Sequence, residues 1–245
     1  MRPTGISTGA LARSDFQAAP GYGDAVEFSA LRTPELRGLL EALPRVDRSR
    51  YRYVSVHAPS DFTVEEEARV ASSLRDAVVG AGFPVIVHPD AIHDPRHWHG
   101  FGECLCFENM DRRKRTGRTC AELAGWFTLF PQATLCLDLA HARNVDPTMT
   151  EAYLILERFG PRLRQLHVSE VTTASRHERM SPGAVRAYRE IANLVPLDIP
   201  VIVEGLPHGA DVTGELRRAS EAVTSVAVAA FVMTIAMLLV SRENR

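Results

Sequence analysis

The sequence predicts the α/β class and, within it, a single (β/α)8 (TIM) barrel with a shortened first helix and an apolar C-terminal helix. Three observations carry that expectation. The chain has 245 residues, and about 250 is typical of one such barrel. Short crowded apolar runs, the pattern of parallel strands covered on both faces, recur at intervals of roughly thirty residues, the length of one strand–helix unit. Each of these runs also ends on a side chain that binds protons or metals. Residues 53–56 end at His57, 84–87 at His88, 104–107 at Glu108, 134–137 at Asp138, 163–166 at His167 and 200–203 at Glu204. In a closed parallel barrel all these strand ends meet on one face.

Taken in order, residues 4–11 read as the first strand. The next dozen, rich in Gly, Pro and Ala, read as a loop replacing most of the first helix. A second strand spans 25–31 and contains Glu27, read as a buried carboxylate bonded to backbone. Thr33 is expected to cap a helix with Pro34 at its first position and Leu36, Leu39, Leu40 and Leu43 as its apolar stripe. A helix over 63–82 opens with Glu65, Glu66 and Glu67 at the dipole-favoured end and stops at Gly80 and Gly82. Further helices are expected at 120–130, 148–159 and 181–194. Two long loops fall on the ligand-bearing face. One, 90–102, holds His93, His97, Trp98 and His99; the other, 111–119, holds Arg112, Arg113, Lys114, Arg115 and Arg118.

The barrel is assigned to residues 1–221, leaving 222–245 as an apolar C-terminal segment. Residues 222–241 carry no charged side chain, and at about 1.5 Å per residue they would just span a bilayer core. The alternative is an extended last barrel helix packed on the barrel or on a partner subunit. A cytoplasmic protein is expected, with membrane contact through 222–240 as the variant. The four cysteines lie within expected strands or a helix, as reduced core residues do. A formal charge of −2 gives no global attraction to nucleic acid.

A carboxylate at the end of a buried strand is costly unless something compensates its charge. For one such residue, Asp138, a hydrogen bond to a helix start would do; recurrence on six strands points instead to a metal. Mixed carboxylates and imidazoles suit Zn, Mn or Fe(II). Glu108, Asp138, His167 and Glu204 would form one four-ligand site. His57 and His88 would hold a second ion sharing Glu108, and His141 and His177 part of a third, giving one to three divalent ions. Arg112, Arg113 and Arg115 are the candidates for gripping an anionic group. His97 and Trp98 are the candidates for covering the substrate.

These residues, in this order, resemble the xylose-isomerase-like barrel superfamily and, within it, the endonuclease IV group of abasic-site repair enzymes. The matching segments are His57-Ala58-Pro59, His88-Pro89, Glu108-Asn109, Asp138-Leu139-Ala140-His141, His167-Val168-Ser169-Glu170, Arg176-His177 and Glu204, within residues 51–206. The resemblance implies three zinc ions on nine ligands. Eight have counterparts here, while the ninth, an Asp two residues before His177, is replaced by Ser175. The same superfamily contains sugar isomerases and epimerases that hold one Mn, Co or Zn ion at the positions of Glu108, Asp138, His167 and Glu204. For them the resemblance implies that Glu108 and Glu204 shuttle a proton while His141 contacts substrate. The near-neutral charge and the short loop after the first strand favour a small anionic or polyhydroxy substrate over a nucleic acid. The expectation is therefore a metal-dependent sugar or sugar-phosphate isomerase/epimerase. The alternatives are a two- or three-metal phosphoester hydrolase, and a barrel that binds metal and sugar without turnover.

Overall fold

Alternation along eight short strands builds the molecule. In a computed structural model describing residues 2–10, 22–205 and 211–225, the strands are β1 Thr4–Ser7, β2 Ala25–Ser29, β3 Tyr53–His57, β4 Val85–Val87, β5 Leu105–Glu108, β6 Thr134–Asp138 and β7 Leu163–Val168. They are followed by β8 Glu170–Val171, β9 His177–Glu178 and β10 Val201–Val203. Strands β1 to β7 pair in sequence order, and β10 lies between β7 and β1 to close a parallel barrel. Strands β8 and β9 form a separate antiparallel hairpin. The helices are α1 Thr33–Ala42, α2 Val64–Val78, α3 Cys120–Leu129, α4 Leu139–Val145, α5 Thr150–Phe159, α6 Pro182–Arg189 and α7 Val212–Ala222.

Successive strand side chains point to opposite faces, and the sequence assigns the two faces different chemistry. Val26, Phe28, Val56, Val85, Val87, Leu105, Phe107, Leu135, Leu137, Leu166, Val168, Val201 and Val203 join the helices in one continuous apolar core. The residues between them fill the barrel interior. There the only separate apolar cluster among the described residues is Ile86, Cys106 and Cys136, and its companions Glu27, Ser55 and Gln165 are polar and buried. Burial pushes the Cys106 thiol up to about 12. All four cysteines are free.

Several local expectations are corrected. The first strand stops at Ser7 and turns into a 3-10 segment, Thr8–Ala10; the shortened first helix falls on 11–21, outside the described residues. Thr33 does not cap α1, because its N–H and hydroxyl both go to Asp61; Glu35 reaches back to the N–H groups of Leu31 and Arg32 instead. Helix α4 and the β8–β9 hairpin had no sequence counterpart. The loop over 90–102 is a chain of 3-10 turns built on Glu67 of α2. That buried carboxylate accepts from His93 N–H at 3.0 Å, Asp94 N–H at 2.8 Å and the Trp98 indole at 2.9 Å. Trp98 is thus no substrate cover: it is fully buried, packed between Phe62 and Phe101.

At the C-terminus α7 ends with Ala222 and Val223 in the core. The apolar run beyond 225 lies outside the described residues, and with it the choice between helix and membrane tail. Among the described residues, no helix is long and apolar enough to cross a membrane.

Replacing Glu67 with Ala strands three donors, the buried Trp98 indole and the part-buried N–H groups of His93 and Asp94. We expect it to destabilise the fold by about 3 kcal/mol, read as a lower urea midpoint at unchanged slope. A loss below about 0.5 kcal/mol would show that the loop is held by other means.

Candidate metal centre

Glu108, the last residue of β5, sits at the centre of the barrel mouth and is buried. Four imidazoles surround its carboxylate. His57 Nε2 and His88 Nε2 each lie 3.2 Å from Oε2, His167 Nδ1 lies 3.6 Å from the same oxygen, and His141 Nδ1 lies 3.1 Å from Oε1. His57 comes from the end of β3, His88 from just past β4, His167 from β7 and His141 from the first turn of α4. Parallel pairing brings these distant positions together: Asp138 is level with His167, and Glu108 is level with Cys136, two residues below Asp138.

The two oxygens of Asp138 have different surroundings. Oδ1 caps α4 by accepting from His141 N–H at 2.7 Å, while Oδ2 is buried with no hydrogen-bond partner. Asn109 clamps the strand ends, donating to Asp138 O at 2.9 Å and accepting from Asp138 N–H at 2.7 Å. Glu204 follows β10, and its Oε2 lies 3.3 Å from His167 Nδ1 and 3.5 Å from His177 Nδ1. His177 rides on β9 and shares a 2.8 Å hydrogen bond with Ser169 Oγ. Gly205 permits that approach: a Cβ there would sit 2.0 Å from Glu178 O.

The eight predicted ligands all converge. Their donor atoms fall into overlapping groups: His57, His88 and Glu108; Asp138, His141 and His177; Glu108, Asp138, His167 and Glu204. Within each group they lie no more than 4.8 Å apart. Hydrogen bonding shows that these groups suit a cation. His57 Nδ1 lies 2.9 Å from Ala58 O, and since a carbonyl only accepts, Nδ1 carries the proton and the Nε2 lone pair of a neutral ring faces Glu108. His167 Nδ1, His88 Nδ1, Asp138 Oδ2 and Glu204 Oε2 are buried without partners. Lone pairs aimed at carboxylate oxygens in a dry site repel unless a metal ion or a proton stands between them.

Without metal, protons play that part. Burial pulls the His57 imidazole down, but the hydrogen bond to Glu108 and the charges of Glu27, Glu108 and Glu204 carry it to about 9. Burial likewise opposes His141, which Asp138 and Glu108 raise to about 10. Burial pushes Asp138 up to about 6. Glu108 and Glu204 are held below the usual carboxylate range, their desolvation outweighed first by the charge of His167.

A hollow of about 450 Å³ opens over the cluster, lined in part by His57, His88, Glu108, His177 and Glu204. None of the five predicted substrate residues lines it. Arg113 donates to Ala174 O at 2.6 Å and Arg115 to Asp90 O at 2.7 Å, so both tie loops together. Arg112 lines a separate hollow beside Arg143, and His97 lies 3.7 Å from Asp94 at the surface. The cations that do line the mouth are Arg32 and Arg176, whose only sequence signal is position, beside a strand end and beside His177. Glu27 corrects the sequence reading: it bonds side chains rather than backbone, with Oε2 2.8 Å from His167 Nε2 and 2.7 Å from Gln165 Nε2.

No family model and no curated protein matches the sequence. Solved structures match the fold. A xylose isomerase domain containing protein from Salmonella typhimurium LT2 superposes with a TM-score of 0.57 at 14% identity, over 90% of this chain and 97% of its own. The 3-keto-D-glucoside 4-epimerase of E. coli gives 0.53 at 10%, over 91% and 99%. D-Psicose 3-epimerase from Clostridium cellulolyticum H10 gives 0.50 at 14%, over 90% and 96%. The resemblance to xylose-isomerase-like barrels is thus established at the level of fold.

Two outcomes follow from the cluster. Adding Zn or Mn at one hundred times its dissociation constant should stabilise the metal-free chain by about 2.7 kcal/mol, raising its melting temperature by roughly 5–10 °C, and Glu108→Gln should cut that rise to under half. The second outcome concerns pH. Because folding raises the pKa values of His57 and His141, their contribution is complete below about 6.5, the unfolded value, and is lost as pH climbs through about 9 and 10. Denaturant titrations from pH 6.5 to 10 should show declining stability without metal and a flatter profile with it; parallel profiles would remove these imidazoles from the cation site.

Proposed function

We propose that this protein is a divalent-metal-dependent isomerase or epimerase acting on a small sugar or sugar phosphate. The observation that carries the reading is the placement of Glu108 and Glu204. Both line the hollow, and both share donor geometry with Asp138 and His167. Two of the solved barrels with this fold are, by name, sugar epimerases. Their names support the substrate class and the geometry supports the chemistry.

In this reading Glu108, Asp138, His167 and Glu204 hold the ion. When bound, the ion would polarise a substrate carbonyl and its neighbouring hydroxyl. The residues of the chain do the rest. Glu204, with about 10% of its side chain exposed, is the more accessible carboxylate, and it is ionised because its pKa lies below the usual range. It takes the proton from the carbon beside the carbonyl, leaving an enediolate. For isomerisation Glu204 hands that proton on to the neighbouring carbon; for epimerisation Glu108 relays to the opposite face a proton from His57, the imidazolium whose Nε2 lies 3.2 Å from its Oε2. His57 and His88 line the same wall and orient substrate hydroxyls, while His141 holds Glu108 Oε1 from behind.

A second reading, a two- or three-metal phosphoester hydrolase, is favoured by one specific feature. The His57 tautomer set by Ala58 O and the unpartnered His88 Nδ1 give the centre more donors than a single ion needs.

The loaded protein should exchange solvent deuterium into a ketose or aldose at the carbon next to the carbonyl. Glu204→Gln should lower turnover by about 10³-fold, within the usual range for an acid/base group, while the protein keeps its ion on the remaining ligands. Metal content measured by mass spectrometry separates the readings. One ion per chain with deuterium exchange supports the isomerase; two or three ions with phosphodiesterase activity and no exchange replaces it with the hydrolase.

A further inference from the structure

We propose that Glu27 is a positioning residue for the metal centre: its carboxylate accepts the Nε2 proton of His167 and thereby turns the Nδ1 lone pair toward the cation. The inference rests on the metal-dependent reading above and adds a residue that lies one layer deeper in the barrel.

Glu27 projects from β2 into the barrel interior and is fully buried. Its Oε2 lies 2.8 Å from His167 Nε2, 2.7 Å from Gln165 Nε2 and 3.4 Å from Ser55 Oγ. The proton on His167 can be placed from these contacts. The tautomer with its proton on Nδ1 would face an Nε2 lone pair against the Glu27 carboxylate, acceptor against acceptor. With the proton on Nε2 that contact becomes a charge-assisted hydrogen bond, and Nδ1 is left as a lone pair. Nδ1 has no hydrogen-bond partner and faces Glu204 Oε2 at 3.3 Å and Glu108 Oε2 at 3.6 Å.

Gln165 Nε2 lies 2.8 Å from His167 Nε2 and, being a donor, cannot accept its proton; both N–H groups converge on Glu27 Oε2, the only acceptor of the three and a charged one. The Tyr53 hydroxyl donates to Gln165 Oε1 at 2.7 Å, which points the amide nitrogen at Glu27 and His167. A flipped amide would set its oxygen 2.7 Å from the carboxylate, so the observed orientation is the satisfied one. Tyr53, Gln165, Glu27 and His167 thus form a polar column down the barrel, beside the interior apolar cluster of Ile86, Cys106 and Cys136. A buried carboxylate there is costly unless its charge is put to use. Holding a ligating imidazole in register, and making it a better donor, is such a use.

The test compares wild type, Glu27→Gln, Glu27→Leu and His167→Ala by chelator-competition titration with Zn and Mn. Long-range ¹H–¹⁵N NMR of the Zn-loaded protein then reads the His167 tautomer. Glutamine is nearly isosteric and keeps an acceptor; leucine removes it. We expect the Nε2-protonated tautomer in wild type and in Glu27→Gln, a loss of about tenfold in affinity for Gln and about 100-fold for Leu, and an unchanged number of ions per chain. Affinities of both Glu27 variants within twofold of wild type, while His167→Ala loses the ion, would overturn the proposal. So would a proton on Nδ1, or the loss of a whole ion in Glu27→Gln, which would make Glu27 a ligand itself. If folded wild type takes up neither metal, the metal-dependent reading has failed and Glu27 falls with it.

Discussion

The carboxylate of Glu108 is the constraint on which the rest of this structure depends. It is wholly buried and has four imidazoles within 3.6 Å, drawn from three strand ends and a helix start. A carboxylate in such surroundings is intolerable unless positive charge sits beside it. The barrel mouth is organised to provide that charge. Asn109 ties β5 to β6 there, Asp138 caps the helix that carries His141, and Ala58 O and Glu27 each settle which nitrogen of an imidazole carries the proton.

The strands meet this demand because their two faces are independent. Outward residues such as Val56, Phe107, Leu137 and Val203 pack the helices and hold the barrel closed. Inward residues are then free to be polar at the mouth and, unusually, one layer below it. The loops above are fixed by arginines. Arg113 reaches the 172–176 turn through Ala174 O, Arg115 reaches Asp90 O, and Arg143 pairs with Glu170 at 2.6 Å. Guanidinium groups suit this work because their fork of donors can engage carbonyls or carboxylates in fixed directions. A run of arginines beside a binding face is therefore not by itself an anion site.

The strand-end acids and imidazoles were legible because each one interrupts an apolar run, and a charged break in a buried strand demands an explanation within a few residues. Glu27 was visible as a residue but not as a partner. Its contacts, Gln165 and His167, lie 138 and 140 positions away, and no local pattern carries that pairing. Counting back two from His167 does reach Gln165, so period-2 alternation would have flagged the polar layer had it been applied inward from each ligand. Trp98 misled for the opposite reason. An aromatic among histidines in a loop looks exposed, and only Glu67, an acid on the helical face turned toward the core, reveals that the loop folds back over α2. Helix α4 was hidden because Asp138 both ends β6 and caps the helix, so the strand pattern ran straight into it.

Charge balance narrows what the centre holds. Four carboxylates, from Glu27, Glu108, Asp138 and Glu204, lie in one largely dry region. Taken as ionised, they are neutralised by two divalent ions with every imidazole neutral, or by one divalent ion together with two imidazolium groups. In the metal-free chain His57 and His141 rise to about 9 and about 10 and His167 is raised as well, its burial outweighed by neighbouring charges, those of Glu204, Glu27 and Glu108 among them; with His167 given over to the ion, the other two supply the charges of the second arrangement. In it one ion sits among Glu108, Asp138, His167 and Glu204, His57 is a charged donor on the wall of the hollow, and His141 stands behind Glu108. A cationic donor beside a polarised carbonyl stabilises the negative oxygen of an enediolate. The residues that look surplus to a single-ion isomerase are thus the ones that would keep its site neutral.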